Sequence, residues 1–179
     1  MQTVKTKPLT KTFLMITLLT LLSTSYAGPK VGDKAPNFTL QDQHLDYHSL
    51  SDYIGDWVVL YFYPKDDTPG CTTQACGIRD AQKRIIATKA VIFGISLDSI
   101  ESHQLFAEKY QLPFSILSDI DGLVSESYDS LRNLFFIKVS KRNTFIVDPY
   151  GKIAKSYTSV DPKMHTQMIL DDLISLQSQ

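Results

Sequence analysis

Residues 57–63 read Trp-Val-Val-Leu-Tyr-Phe-Tyr, an apolar run without alternation and rich in β-branched and aromatic side chains. That is the pattern of a strand covered on both faces, so it belongs near the centre of a sheet. A second such run spans 90–97, and between the two Ala75, Ile78, Ala81 and Ile85 recur at spacings of three and four, the period of a helix with one buried face. Strand, helix and strand of these lengths predict a parallel crossover. Asp98 with Glu101 three residues on predicts a capping box for a further helix, in which Phe106 and Tyr110 share a face and which Leu112-Pro113 ends. A short strand at 114–117 and a brief helix over 123–130 follow. Strands at 144–147 and 153–157 flank Asp-Pro-Tyr-Gly at 148–151, a hairpin turn that makes the end of the sheet antiparallel. Asp161-Pro162 predicts the N-cap and first turn of a last helix that buries Ile169, Leu173 and Leu176. No repeat or linker divides residues 28–179. The expectation is one α/β domain with a mixed central sheet and helices on both faces.

The first 27 residues are of another kind. Lys5, Lys7 and Lys11, with no acid, precede an apolar run at 13–22, and Ala27 with Ser25 puts small residues at the last and third-last positions. The ten-residue run covers about 15 Å of helix against a bilayer core of roughly 30 Å, too little for an anchor. A cleaved secretory signal is expected, and with it a protein secreted across the inner membrane into a periplasmic, oxidising compartment with no stable membrane association after cleavage. Its removal takes three lysines and no acid, so the formal charge moves from −1 to −4. With 43% hydrophobic and 21% charged residues in 179, the chain is long enough for one core, and its charge offers no basic field for nucleic acid. Two cysteines cannot form a disulfide scaffold.

Those two cysteines stand where chemistry is most accessible. After Tyr63 comes Pro64-Lys-Asp-Asp-Thr68-Pro69-Gly70-Cys71, and then the helix. Cys71 therefore falls in the first helical turn beyond the end of a buried strand, beside free backbone N–H groups and the positive end of the helix dipole, a setting that favours thiolate. Thr68 and the N–H groups of Gly70 and Cys71 are available donors for an oxygen under attack, and Pro64 and Pro69 stiffen the loop. Cys76 lies five residues on, at a Cα separation of roughly 8 to 9 Å in an intact helix. A disulfide wants less than about 7 Å, so if the two pair, the first turns must unwind.

The stretch 61–80, Tyr-Phe-Tyr-Pro-Lys-Asp-Asp-Thr-Pro-Gly-Cys-Thr-Thr-Gln-Ala-Cys-Gly-Ile-Arg-Asp, resembles the signature of the peroxiredoxins of the peroxiredoxin Q or bacterioferritin-comigratory type. The resemblance runs on through Val31-Gly-Asp-Lys-Ala-Pro-Asn-Phe38, 93–96, 114–119 and Arg142-Asn-Thr-Phe-Ile-Val-Asp148. It implies a thioredoxin-like fold and thiol-dependent reduction of hydrogen peroxide and organic hydroperoxides, without cofactor or metal, by a monomer or weak dimer that a thioredoxin-like or other dithiol reductant recycles. It further implies that Cys71 is the peroxidatic and Cys76 the resolving cysteine, joined in an intrachain disulfide. By the same resemblance, Pro64 and Thr68 match the rest of the loop motif, and Arg142 matches the arginine that approaches the thiolate from a distant strand. Two features depart from the family. No glycine occurs between Gly122 and Gly151, so residues 133–141 are expected to differ in conformation. A secretion signal is also unusual for the type.

Other readings compete. A copper-binding thioredoxin-fold protein would use a close cysteine pair with a distant histidine, but no histidine stands in the required loop context. A domain that binds a partner and has no redox activity is a third reading, against which Cys71, Thr68 and Arg142 all speak. Arg79 and Arg132 rival Arg142, although Arg79 is expected to support the fold through Asp80 or a strand carbonyl. His44 and His48 are expected to be solvated, and His103 and His165 fit no ligand pattern. Tyr63 or Phe38 could wall a substrate pocket.

Overall fold

The unalternating run at 57–63 forms β3 (Trp57–Phe62), an interior strand of the sheet in a computed structural model that describes residues 28–178 together with Gln2. The expected signal segment lies outside the described residues. Apolar side chains on both faces of β3 are buried because each face has its own core. Val59, Tyr61 and Tyr63 face one cluster, and Val58, Leu60 and Phe62 the other.

β3 pairs in parallel with β4 (Ala90–Ser96), and β4 in parallel with β5 (Ile116–Ser118). On its other side β3 pairs antiparallel with β8 (Thr144–Val147), which turns at 148–151 into β9 (Ile153–Tyr157). Beyond β5 lies a hairpin of β1 (Thr39–Asp42) and β2 (Tyr47–Ser49), which completes the order β2-β1-β5-β4-β3-β8-β9. A separate two-stranded ribbon is formed by β6 (Leu131–Leu134) and β7 (Ile137–Ser140). The mixed sheet with helices packed on it is the thioredoxin-like arrangement that the sequence leads one to expect.

The helices are shared unevenly between the faces. The crossover from β3 to β4 holds α1 (Pro69–Asp80) and α2 (Gln82–Ala87), which break at Ala81 where a single continuous helix was expected. With α3 (Ile100–Tyr110) and α5 (His165–Gln177), they supply Ala75, Ile78, Ile85, Phe106, Ile169 and Leu173 to the Tyr61 cluster. The opposite face is covered by the N-terminal segment, a 3-10 turn at Leu50–Tyr53 and the short α4 (Leu123–Ser127).

Two helix starts differ from expectation. Ser99, not Asp98, caps α3, its side chain accepting from the Ser102 N–H at 3.3 Å, because the Asp98 carboxylate is turned away to the loop after β3. α5 begins at His165 rather than Pro162. Residues 161–164 form a turn of their own, closed by Met164 N–H on the Asp161 carbonyl, and the later start lets His165 enter the core.

The β1–β2 hairpin was not legible because its side chains are mostly polar. It is held by a buried carboxylate: Asp42 accepts from the N–H groups of His44 and Asp46, from Ser115 Oγ, and bonds the His48 ring.

Candidate active site

Thr68 has extended backbone and Pro69 occupies the first helical position, so α1 starts abruptly at the carboxyl end of β3. Cys71 is the third residue of that helix and is only 2% exposed, its sulfur packed in the cluster below Tyr61. Among the described residues no acceptor takes the N–H of Gly70 or Cys71; the first bond of the helix runs from Thr72 N–H to the Thr68 carbonyl at 2.8 Å. These open donors and the helix dipole favour negative charge at the sulfur and at any oxygen that meets it.

A guanidinium completes the arrangement. Arg142, just ahead of β8, directs Nη2 to Cys71 Sγ at 3.3 Å, while its Nη1 donates to Gln74 Oε1. The approach depends on Gly70: a Cβ there would lie 3.2 Å from Arg142 Nη2. Because a guanidinium only donates, Arg142 sets which way the Gln74 amide points. The amide nitrogen then faces His165 Nδ1 at 2.9 Å and must donate to it, which leaves the His165 Nε2–H to donate to Thr144 Oγ1 at 2.8 Å. A protonated His165 would set donor against donor. Burial, with the nearby Arg142 charge adding to it, lowers its pKa to about 3, so the ring is neutral.

The loop that delivers Cys71 is braced from beneath. Asp66 accepts from Tyr63 Oη and Ser102 Oγ, each at 2.7 Å, and pairs with His103 Nδ1 at 2.8 Å. Burial raises the Asp66 pKa, but these partners outweigh it and hold the carboxyl below its usual range. The Asp66 N–H donates to Asp98 Oδ2 at 2.9 Å, and that oxygen also accepts from Ser96 Oγ at 2.7 Å. Burial, with Asp66 and Cys71 nearby, drives the Tyr61 pKa well up, so its hydroxyl stays protonated.

The structure brings Cys71 and Arg142 together and sets Pro64 and Thr68 in the same loop. Thr68 Oγ1 donates to the Lys65 carbonyl at 3.0 Å rather than to the helix or the sulfur, so in this conformation it fixes the loop. Pro64 is half-buried where β3 ends. Cys76 is a free thiol on the same unbroken helix. It is half-exposed in a cleft of about 590 Å³ between α1 and α5, with Thr73, Arg84 and Lys163 around it.

Arg79 is engaged elsewhere, donating to Asp80 and to the carbonyl of Tyr110, which ends a helix rather than a strand. Arg132 is on the ribbon. Tyr63 is buried with its hydroxyl on Asp66, and Phe38 belongs to the cluster across the sheet from Cys71. His44 is exposed, whereas His48 is half-buried between Asp42 and Tyr53.

Sequence reasoning missed Gln74, His165, Asp66 and His103. For Gln74 a signal existed: a polar residue one helical turn from Cys71 lies on the same helix face. For the histidines there was none, since single residues far along the chain form no pattern.

Comparison with known proteins gives a consistent result. The family described as AhpC/TSA matches residues 31–156. The chain is 41% identical over 148 residues to peroxiredoxin Bcp of Bacillus subtilis, covering 80% of this chain and 94% of that protein. It is 42% identical over 153 residues to the chloroplastic peroxiredoxin Q of Sedum lineare, covering 85% and 82% respectively. The crystal structure of peroxidoxin BcpB from Mycobacterium tuberculosis superposes with a TM-score of 0.77 at 34% identity, over 82% of this chain and 97% of that one.

Proposed function

Since the chain belongs to the AhpC/TSA family and is a thiol peroxidase of its Bcp/peroxiredoxin Q type, we propose that Cys71 reduces hydrogen peroxide and organic hydroperoxides and that Cys76 resolves the product. The Cys71 thiolate attacks one peroxide oxygen, the O–O bond breaks, and water or an alcohol leaves with a proton; the sulfur becomes a sulfenic acid. Arg142 Nη2 and the N–H groups of Gly70 and Cys71 stabilise the thiolate and the charge that develops on the oxygens, and Thr68 and Pro64 hold the loop that presents them. The observation that carries this reading is the 3.3 Å approach of Arg142 to a buried sulfur at an open helix start.

Resolution requires movement. Both cysteines lie in the unbroken α1, where positions five apart stand roughly 8 to 9 Å apart, beyond disulfide reach. The first turns of α1 therefore unwind, the Cys76 sulfur attacks the sulfenic sulfur, water leaves, and an intrachain disulfide forms. A thioredoxin-like or other dithiol reductant returns both thiols. The N-terminal segment supports export to an oxidising compartment, which would supply a reductant other than the cytosolic one.

Copper binding is disfavoured by the same contact: a guanidinium against the sulfur repels a cation, and both nitrogens of His165 are engaged by Gln74 and Thr144. The test is peroxide consumption with a dithiol reductant. Turnover by the natural protein and none by Cys71→Ser is expected; equal turnover by Cys71→Ser, free of metal, would overturn the assignment.

A further inference from the structure

The β6–β7 ribbon ends in four consecutive apolar residues. Phe135 and Phe136 are 101% and 102% exposed, and the pair behind them, Leu134 and Ile137, 49% and 64%. Phe135 also sits at φ +53°, the first central position of a two-residue turn, which glycine fills without strain. The turn thus keeps an aromatic ring in water at the cost of an unfavourable backbone. Local folding explains neither the exposure nor the strain.

We infer that this finger docks, peripherally and reversibly, on an anionic lipid bilayer surface. Its shape favours a fluid apolar medium over a protein groove: the two rings form a convex end, and a bilayer interface covers every side of it at once. Its charge specifies the headgroup. By the cross-strand register, Arg132 lies on the face of Leu134 and Ile137, and Lys138 on the other face with Asn133. Cations thus stand within about 7 Å of the apolar end on both faces, where their stems can lie along the acyl boundary and their heads reach phosphate.

No acid occurs between residues 130 and 147, in a chain whose formal charge is −1. The finger is held firmly at its base, where Ser140 Oγ bonds Ser125 Oγ at 2.9 Å and Lys141 Nζ pairs with Asp129 at 2.7 Å. Among the described residues no helix is long and apolar enough to cross a membrane, and four side chains do not amount to a stable anchor. The inference does not depend on the peroxidase reading, and β7 runs directly on through Lys141 to Arg142.

The test uses the full chain with Phe136→Trp in a Trp57→Phe background, so that one tryptophan reports the tip; a cooperative thermal melt followed by circular dichroism checks that the variant is folded. With phosphatidylcholine vesicles containing phosphatidylglycerol, the emission should shift to the blue and be quenched by brominated acyl chains. Both effects should weaken with added salt or with Arg132→Ser and Lys138→Ser, and Leu134→Ser with Phe135→Ser should lower apparent affinity roughly tenfold or more. An unquenched tip on vesicles to which the protein binds through another segment would overturn the inference. So would absence of binding, or a blue shift that depends on protein concentration without lipid, which would assign the finger to a second copy.

Discussion

Arg142 and Cys71 are 71 positions apart in the chain, and their Nη2 and Sγ atoms are 3.3 Å apart. Arg142 comes from just ahead of β8 and Cys71 from the start of α1; β3 pairs with β8 and leads into the loop that starts the helix. If Arg142 acts as proposed, removing the guanidinium takes one preorganised donor from the transition state. Arg142→Ala should lower the second-order rate of peroxide reduction by about 10² to 10³. Arg142→Lys keeps the charge but cannot serve Cys71 and Gln74 together, so a clear defect is expected there too. Competition kinetics against a reference peroxidase measures both; a natural rate in Arg142→Ala would assign the role elsewhere.

Gly70 is a packing requirement of the same contact. The methyl group of Gly70→Ala would lie 3.2 Å from Nη2, so the guanidinium must shift by a few tenths of an ångström. The peroxide rate should fall by about tenfold, with thermal stability nearly unchanged because the gain in helix propensity from alanine offsets the tight contact at this half-buried first turn. A large loss of stability with an unaltered rate would contradict this.

Gln74 and His165 position Arg142. Gln74→Leu leaves a buried His165 nitrogen without a donor and frees one arm of the guanidinium, a loss of about 1 to 3 kcal/mol in stability. It should also reduce the rate. Gln74→Glu, which offers Arg142 an acceptor again, should restore most of the rate, an effect that a merely structural role would not produce.

The neutral state of His165 makes stability depend on pH. Its pKa is lowered by burial and by Arg142 from 6.5 to about 3 in the folded protein. Between these values the unfolded chain binds a proton that the folded chain refuses, so stability falls as pH drops through that window, by at most about 1.4 kcal/mol per pH unit. Asp66, whose carboxyl is held below its usual range, adds its own loss only below about pH 4. Denaturant unfolding between pH 6.5 and 4.5 should therefore show a slope that His165→Gln reduces. An identical slope in the variant would rule out His165 as its source.

The two core strands and the helix between them were legible because their side chains are buried in strict patterns, and the Cys71 loop because its chemistry is local in sequence. What was not legible came from long-range placement. Asp98 serves the active-site loop rather than a helix cap, and His165 becomes a buried acceptor only because α5 starts three residues late. The β1–β2 hairpin depends on a single carboxylate, Asp42, that no periodicity reveals. The absence of glycine before Arg142 marked residues 133–141 as unusual, but only the cross-strand register showed that they form a ribbon with two phenylalanines at its end.

The switch between redox states should be visible in the backbone. If the disulfide forms by unwinding α1, amide hydrogens across residues 72–79 should exchange faster in the oxidised protein, while β3 stays protected. Reduction should restore protection. Equal protection of α1 in both states, with the disulfide confirmed, would contradict the unwinding.

The most direct test of the whole account is intact mass and peptide mapping after one equivalent of hydrogen peroxide. The natural chain should lose both thiols and about two mass units, with Cys71 and Cys76 in one intrachain disulfide, and Cys76→Ser should gain about one oxygen at Cys71. Cys71→Ser should be unchanged. Rapid oxidation of Cys76 in Cys71→Ser, or disulfides only between chains in the natural protein, would contradict it.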